Sequence, residues 1–430
     1  MAYLAALGLV FIASVGLSVF SRKGEKNKVL IKSDGIGYYV WARSIVLDHD
    51  IDFGNDYQVM CEAASGPVPP EAAVSTPTGY SINKYPVGMA VLEIPGLLLG
   101  HIVASHSASF ATDGASPPYQ VAVVWSLFVL YYGSFVFLYR AMLCLGIARI
   151  WAAGFCLTAL LATNLIYYAA KEPTMAHAAG VAVFNVLLFL AVGWTEASAQ
   201  ARSVPRILAG ALLGLFFLVR NTNVLLIPFL AVVLWTRRRI LLREVMPVLA
   251  GALVVSALQP VSLWFLWGRP RFSTYFGESF SAGFSGIGNA LVSAKHGLLL
   301  YHPWYGVLLL FAAYGVLSLP KAMTICIAVL ASFVFAAVVN GTWWCWWFGH
   351  SFGNRAFIEL LPALSLAAAM SISELNVGRR ATICLVAAML VVTAVNAYLS
   401  VGYVLERFPH DGSHTIAQAY LWLLSSSPGR

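Results

Sequence analysis

Several short stretches of this 430-residue chain place ionisable side chains where they could do chemistry. The first is SDGIGYY, with Asp34 just ahead of apolar residues at helical spacing from Ile36 to Leu47, the pattern of an amphipathic helix lying on the outer membrane surface. A carboxylate at an N-cap position can simply cap its helix. Held beside a bilayer, it can also serve as a general base or a metal ligand. Asp48, Asp50, Asp52 and Asp56 follow, and solvation in a loop accounts for them equally well. The second stretch, KEPTMAH, puts Glu172 before a proline suited to a first helical turn, with Lys171 and His177 close by. Glu172 is either a helix-end charge or a second carboxylate facing the same space as Asp34.

Basic groups make up the rest. Arg220 in LVRNTN lies between two short apolar segments, where a charge needs either an acidic partner or an anionic ligand. In GHSFGNR, His350 and Arg355 stand at the start of a helix, a setting suited to an anion. Lys84 in NKYPVG, and His296 and His302 in AKHGLLLYHP, add further cations. Tyr38 and Tyr85 supply hydroxyls beside the same motifs. Five aromatics between Trp343 and Phe348 are most simply an interfacial belt. Asp34 and Glu172 are the candidate ligands if a divalent metal is used, but no compact ligand cluster demands one, and the cofactor stays open.

The elements that must position these groups are membrane helices. The chain is 60% hydrophobic and 10% charged, with mean hydropathy +0.79, far from soluble composition. The net charge of +8 belongs to loop topology rather than to nucleic acid. Apolar segments long enough to span run over 2–20, 119–140, 149–169, 176–195, 245–267, 303–319, 321–340, 356–373 and 380–404. A hairpin, 206–219 and 222–236, is broken at RNTN. Residues 1–20 lack the basic start and small-residue cleavage site of a signal peptide and read as a spanning helix.

Basic clusters set the topology: Arg140/Arg149, Arg202/Arg206, Arg237 to Arg239 with Arg243, Lys321, and Arg379/Arg380. They share the cytoplasmic side only if 85–101 does not cross. That run is then an interfacial or re-entrant helix inside one long external loop, 21–118, and the basic stretch SRKGEKNK (21–28) is tolerated outside. The expectation is an all-α polytopic fold with about eleven crossings. Residues 1–240 form one module and 241–430 another, with external loops 268–302 and 340–355 and no soluble domain. Of the 18 acids, only Glu196, Glu244 and Glu374 fall in cytoplasmic loops, so the polar chemistry is external. The six cysteines show no metal spacing, and a Cys61–Cys345 disulfide is conceivable. No Walker A, GxGxxG, HExxH or GxSxG motif occurs in a fitting context.

The order of these features resembles the C-type (GT-C) integral membrane glycosyltransferases that use polyprenyl-phosphate sugars. KYPVG is similar to their Tyr-Pro-Pro-Gly signature, with Val87 at the second proline, and FGNR to a Phe-Gly-Pro-Arg pattern, with Asn354 departing. The resemblance implies Asp34 as base or metal ligand and Glu172 as the second-loop acid. It implies Lys84, Arg220, Arg355 and His350 around the donor phosphate, and Tyr38, Tyr85, His177 and His302 on sugar or acceptor. It further implies inversion, a glycolipid, polysaccharide or protein acceptor, and a bacterial inner membrane with the site on the periplasmic or extracellular side. A lipid or polysaccharide transporter, or a surface-polysaccharide polymerase or ligase, is the alternative.

Overall fold

The computed structural model describes residues 1–20, 29–194, 203–237, 242–271, 274–275, 277–281, 283–375 and 377–423. The basic stretch 21–28, Arg202, Arg238, Arg239 and Glu196 lie outside the described residues. The described chain is helical: α1 (Ala2–Phe20), α2 (Asp34–Arg43), α3 (Gly54–Ala63), α4 (Gly88–Ser105), α5 (Pro117–Cys144), α6 (Arg149–Leu161), α7 (Leu165–Ala170) and α8 (Ala176–Gly193). There follow α9 (Ser203–Val219), α10 (Ile227–Arg237), α11 (Leu242–Ser256), α12 (Leu258–Trp267), α13 (Ser285–Val292), α14 (Leu298–Tyr301), α15 (Trp304–Ser318), α16 (Pro320–Thr342), α17 (Leu361–Glu374), α18 (Arg379–Val404) and α19 (Ile416–Tyr420). Among the described residues there are no strands, only the isolated bridges Ser75–Ser81 and Phe280–Trp343.

Among the described residues, seven helical stretches are long and apolar enough to cross a membrane by length and composition: 88–105, 117–144, 176–193, 244–267, 320–342, 355–374 and 379–404. Five shorter apolar helices accompany them. Burial separates their roles. The segments 176–193 and 355–374 are 78% and 89% buried, whereas 244–267 and 379–404 are 17% buried. An apolar helix packed on all sides is a core element, and one with Leu253, Val254, Phe265, Leu390 or Val391 exposed has hydrocarbon to face. α8 and α17 are thus the central pillars, and α11, α12 and α18 the lipid-facing periphery.

Two expectations about the long first loop change. α2 is not a surface helix: every residue from Gly35 to Arg43 is buried. Tyr39 donates to the Gly114 carbonyl (2.7 Å) and Arg43 to that of Asp113 (2.8 Å), so 111–116 covers one side. Trp41 donates to the Tyr85 carbonyl (2.8 Å) and Asn83 to that of Gly37 (2.8 Å), so 83–85 covers another. These contacts fold the loop as a body, pinned to α5 where Gln120 accepts from the Leu30 and Ile31 amides (2.6 and 3.2 Å). Cys61 and Cys345 are both free thiols, so the conceivable disulfide is not formed.

α4 covers the 85–101 run. Gly96 packs on Val123 and Gly100 on Tyr119, which makes α4 antiparallel to the first half of α5 and places its start level with the middle of that helix. α1 is also antiparallel to α5, with Tyr3 stacked on Tyr139 (4.2 Å) and Phe11 against Trp125 and Phe128.

Candidate active site

Asp34 is the first residue of α2 rather than its N-cap; that place falls to Ser33, which makes no side-chain cap bond. Ser33 has φ 53°, a left-handed conformation that a residue with a Cβ adopts at a cost. The turn leaves the Asp34 carboxylate for partners distant in sequence. Oδ2 pairs with Arg355 Nη2 at 2.7 Å, and Oδ1 accepts from the Tyr85 hydroxyl at 3.0 Å. Gly35 and Gly37 explain the spacing of DGIG. A Cβ on Gly35 would overlap the Thr174 side chain, and one on Gly37 the Tyr85 ring. α2 can therefore press its N-terminus between the α7–α8 turn and the KYP segment only if these positions are glycine.

Burial pushes the Asp34 carboxyl up, but Arg355, Tyr85, Lys84 and His177 outweigh it and hold the group below the usual carboxylate range. Burial, reinforced by the Asp34 charge, pushes the Tyr85 phenol well above its ordinary value and keeps it a donor.

These groups open on a cavity of about 540 Å³. Asp34, Tyr38, Lys84, Tyr85, His177, Arg220 and Arg355 all line it, so most of the residues singled out in the sequence converge although 321 positions separate Asp34 from Arg355. Aromatic side chains line it as well, with Trp343, Trp344, Phe348, Phe280 and Tyr275.

The remaining candidates lie away from the lining. Glu172 accepts from Tyr167 (3.1 Å) in the turn behind Asp34, and burial, opposed by Arg355 and reinforced by Asp34, raises its carboxyl. His302 is buried, with Nδ1 on Asn396 Oδ1 (2.9 Å) and Nε2 on the Phe352 carbonyl (3.2 Å), and burial brings its imidazole down to about 4. His350 is exposed, edge-on to His410 (6.5 Å). His296 is buried beside Tyr301 and also lies off the lining.

Two acids escaped sequence reading. Glu359 is buried behind the cavity and bonds Arg220 through Oε2 (3.1 Å) and His177 through Oε1 (3.0 Å). It is the acidic partner that Arg220 needs, four residues after Arg355 on the short 3₁₀ segment Arg355–Leu360. A lone carboxylate within the apolar run AFIELLP was the available signal, by the same reasoning that drew attention to Arg220. Glu278 lines the cavity, 3.5 Å from Lys84 Nζ, with Trp344 Nε1 donating to it at 2.9 Å. Nothing in its loop sequence marks it.

Among the described residues no group of three His, Cys, Asp or Glu side chains could hold a metal. Asp34 is engaged by Arg355 and Tyr85, and Glu172 is not among the residues lining the cavity.

No protein-family profile and no curated sequence matches the chain. Solved structures do. ArnT from Cupriavidus metallidurans is similar over 98% of this chain and 74% of its own, at 14% identity and TM-score 0.53. The oligosaccharyltransferase AglB from Archaeoglobus fulgidus, in complex with an inhibitory peptide and a dolichol-phosphate, is similar over 93% of this chain and 55% of its own, at 11% identity and TM-score 0.52. Its apo form matches over 97% and 56%, at 11% identity and TM-score 0.51. The chain spans about half the length of the oligosaccharyltransferase. These neighbours are C-type membrane glycosyltransferases, and the fold of this chain is the GT-C fold.

Proposed function

We propose that the protein is a membrane glycosyltransferase that moves a sugar from a polyprenyl-phosphate donor to an acceptor hydroxyl, with Asp34 as base. The observation that carries this is the Asp34 carboxylate, kept ionised by Arg355 and Tyr85 at the wall of a cavity also lined by Lys84 and Arg220. The GT-C fold and a neighbour solved with a dolichol-phosphate support the same reading.

In the reaction, the acceptor oxygen attacks the anomeric carbon. The bond from that carbon to the phosphate oxygen breaks, and its electron pair leaves on the phosphate. The acceptor proton passes to Asp34. Lys84 and Arg220 face the charge that develops on the leaving phosphate, and Tyr38, Tyr85 and His177 are placed to hydrogen-bond hydroxyls. One in-line displacement inverts the anomeric centre. Glycolipid, polysaccharide and protein acceptors all suit a cavity lined by both polar and aromatic side chains.

The topology that accords with this chemistry has eleven crossings, with 85–101 dipping into the membrane from the side that holds the cavity. The basic loops then face the cytoplasm and the site the periplasm or cell exterior, as in a bacterial inner membrane.

The test is transfer from a radiolabelled polyprenyl-phosphate sugar by purified protein in lipid nanodiscs, with acceptor lipids and polysaccharide supplied. The wild type should label an acceptor and Asp34→Asn should not, with both eluting as folded protein. Full transfer by Asp34→Asn would sink the assignment.

A further inference from the structure

The charges around the cavity balance. Its lining holds the acids Asp34 and Glu278 and the bases Lys84, Arg220 and Arg355, and the carboxylate of Glu359 reaches Arg220 from behind. Each base faces an acid: Arg355 faces Asp34 at 2.7 Å, Arg220 faces Glu359 at 3.1 Å, and Lys84 faces Glu278 at 3.5 Å. A sugar phosphodiester brings one more negative charge. The site gains net positive charge for it only if one of these carboxylates gives way.

The three pairs are not equally able to do so. Glu359 is 5% exposed, Arg220 is 13% exposed, and the same carboxylate also holds His177, so separating it strands a buried charge. Asp34 is held by two partners and is needed for the chemistry. Lys84 and Glu278 are 29% and 18% exposed at the longest separation, the kind of pair whose loss costs least. The position of Glu278 is also set by the backbone. Trp344 donates its amide to Ser279 (3.1 Å) and Ser281 donates to Thr342 (2.6 Å), so this antiparallel pairing lays the carboxylate beside the Trp344 indole. An ammonium and an indole N–H therefore converge on one anionic group.

We propose that Lys84 and Trp344 form the anion subsite for the donor phosphate, and that the Glu278 carboxylate stands in that subsite until the phosphate displaces it. This rests on the donor reading above. The carboxylate oxygens mark where phosphate oxygens go, and Glu278 limits occupancy to an anion that outcompetes it. A neutral polyprenol or a zwitterionic lipid headgroup, with its own cation beside the phosphate, gains little from such a site.

The experiment is direct binding of a long-chain polyprenyl phosphate to the detergent-purified full chain, with the matching polyprenol as control. Glu278→Gln keeps the side-chain shape and the indole contact but removes the charge. It should tighten polyprenyl phosphate about fivefold and leave polyprenol unchanged. Lys84→Met should weaken the phosphate ligand by about tenfold or more, and adding Glu278→Gln to it should restore little. Trp344→Phe should weaken it by a smaller factor. Thermal melts establish that each variant is folded.

Binding by the wild type that Glu278→Gln leaves unchanged or weakens would overturn the competition while leaving the glycosyltransferase reading intact. No binding by either protein would overturn both. Tighter binding by Glu278→Gln in a protein that transfers no sugar would uphold the subsite and overturn the transferase.

Discussion

Two ends of one acidic stretch meet different fates. At its head, Asp34 is joined to Arg355 across 321 positions, and its carboxylate opens on a cavity. At its tail, the other four aspartates serve the loop that carries them. Arg43 binds Asp48 (2.7 Å) and Asp56 (2.5 Å), Ser44 donates to Asp50 (2.8 Å), and Asp52 accepts from the Ser81 amide (3.0 Å). None of the four lines the cavity. Within this stretch, the carboxylates whose partners lie nearby in their own loop build structure, whereas the one held by the far end of the chain opens on the cavity.

The contrast breaks most sharply at Asp34. Asp34→Asn should cost about 10³-fold in kcat with little loss of stability, because a neutral amide cannot accept the acceptor's proton. Asp50→Asn should stay within about twofold of wild type, since an amide oxygen can still accept from Ser44. Initial rates on matched amounts of folded protein separate the two, and equal losses would erase the distinction.

Arg355→Gln comes next, at about 10²-fold in kcat/KM. It also has a signature in pH. Asp34 must be ionised to act, so activity is lost as pH falls through its pKa. With Arg355 present that pKa lies below the usual carboxylate range, and the wild type should keep its rate at mildly acidic pH. Without Arg355, burial, the largest influence on the group, works against fewer opponents and the acid limb of kcat/KM moves up. An unmoved limb would show that another group titrates.

The tail predicts a stability effect. Arg43→Met leaves Asp56, fully buried, beside an apolar side chain; it should cost on the order of 3 kcal/mol while the remaining folded molecules keep their rate. Asp48→Asn removes only the more exposed partner and should cost less than about 1 kcal/mol. Thermal denaturation in detergent reads both, and a fall in rate per folded molecule would draw the tail into the site.

The sequence carried the polytopic helical fold and most of the charged residues of the cavity wall, because apolar length and intramembrane charge are local signals. Asp34, Lys84, Tyr85, His177, Arg220 and Arg355 could be chosen one motif at a time. Pairing was not legible. That Arg355 answers Asp34, or that Glu359 answers both Arg220 and His177, depends on helix packing, to which local spacing is blind. The same limit made α2 look like a surface helix: its periodicity shows an apolar face, but the cover over its other side comes from 83–85 and 111–116, reached only by long-range folding.

Glu172 tests the comparison most finely, because it stands directly behind Asp34 yet off the cavity. Burial raises its carboxyl, the Asp34 charge reinforces that, and Arg355 opposes it. Gln still offers an oxygen to the Tyr167 hydroxyl that Glu172 accepts from at 3.1 Å, so the substitution keeps that contact. Glu172→Gln should therefore lower kcat by less than about tenfold, far short of Asp34→Asn. If Glu172→Gln instead matches Asp34→Asn in kcat, the two carboxylates share the proton transfer, and the division between a carboxylate facing substrate and carboxylates that build structure fails at its nearest point.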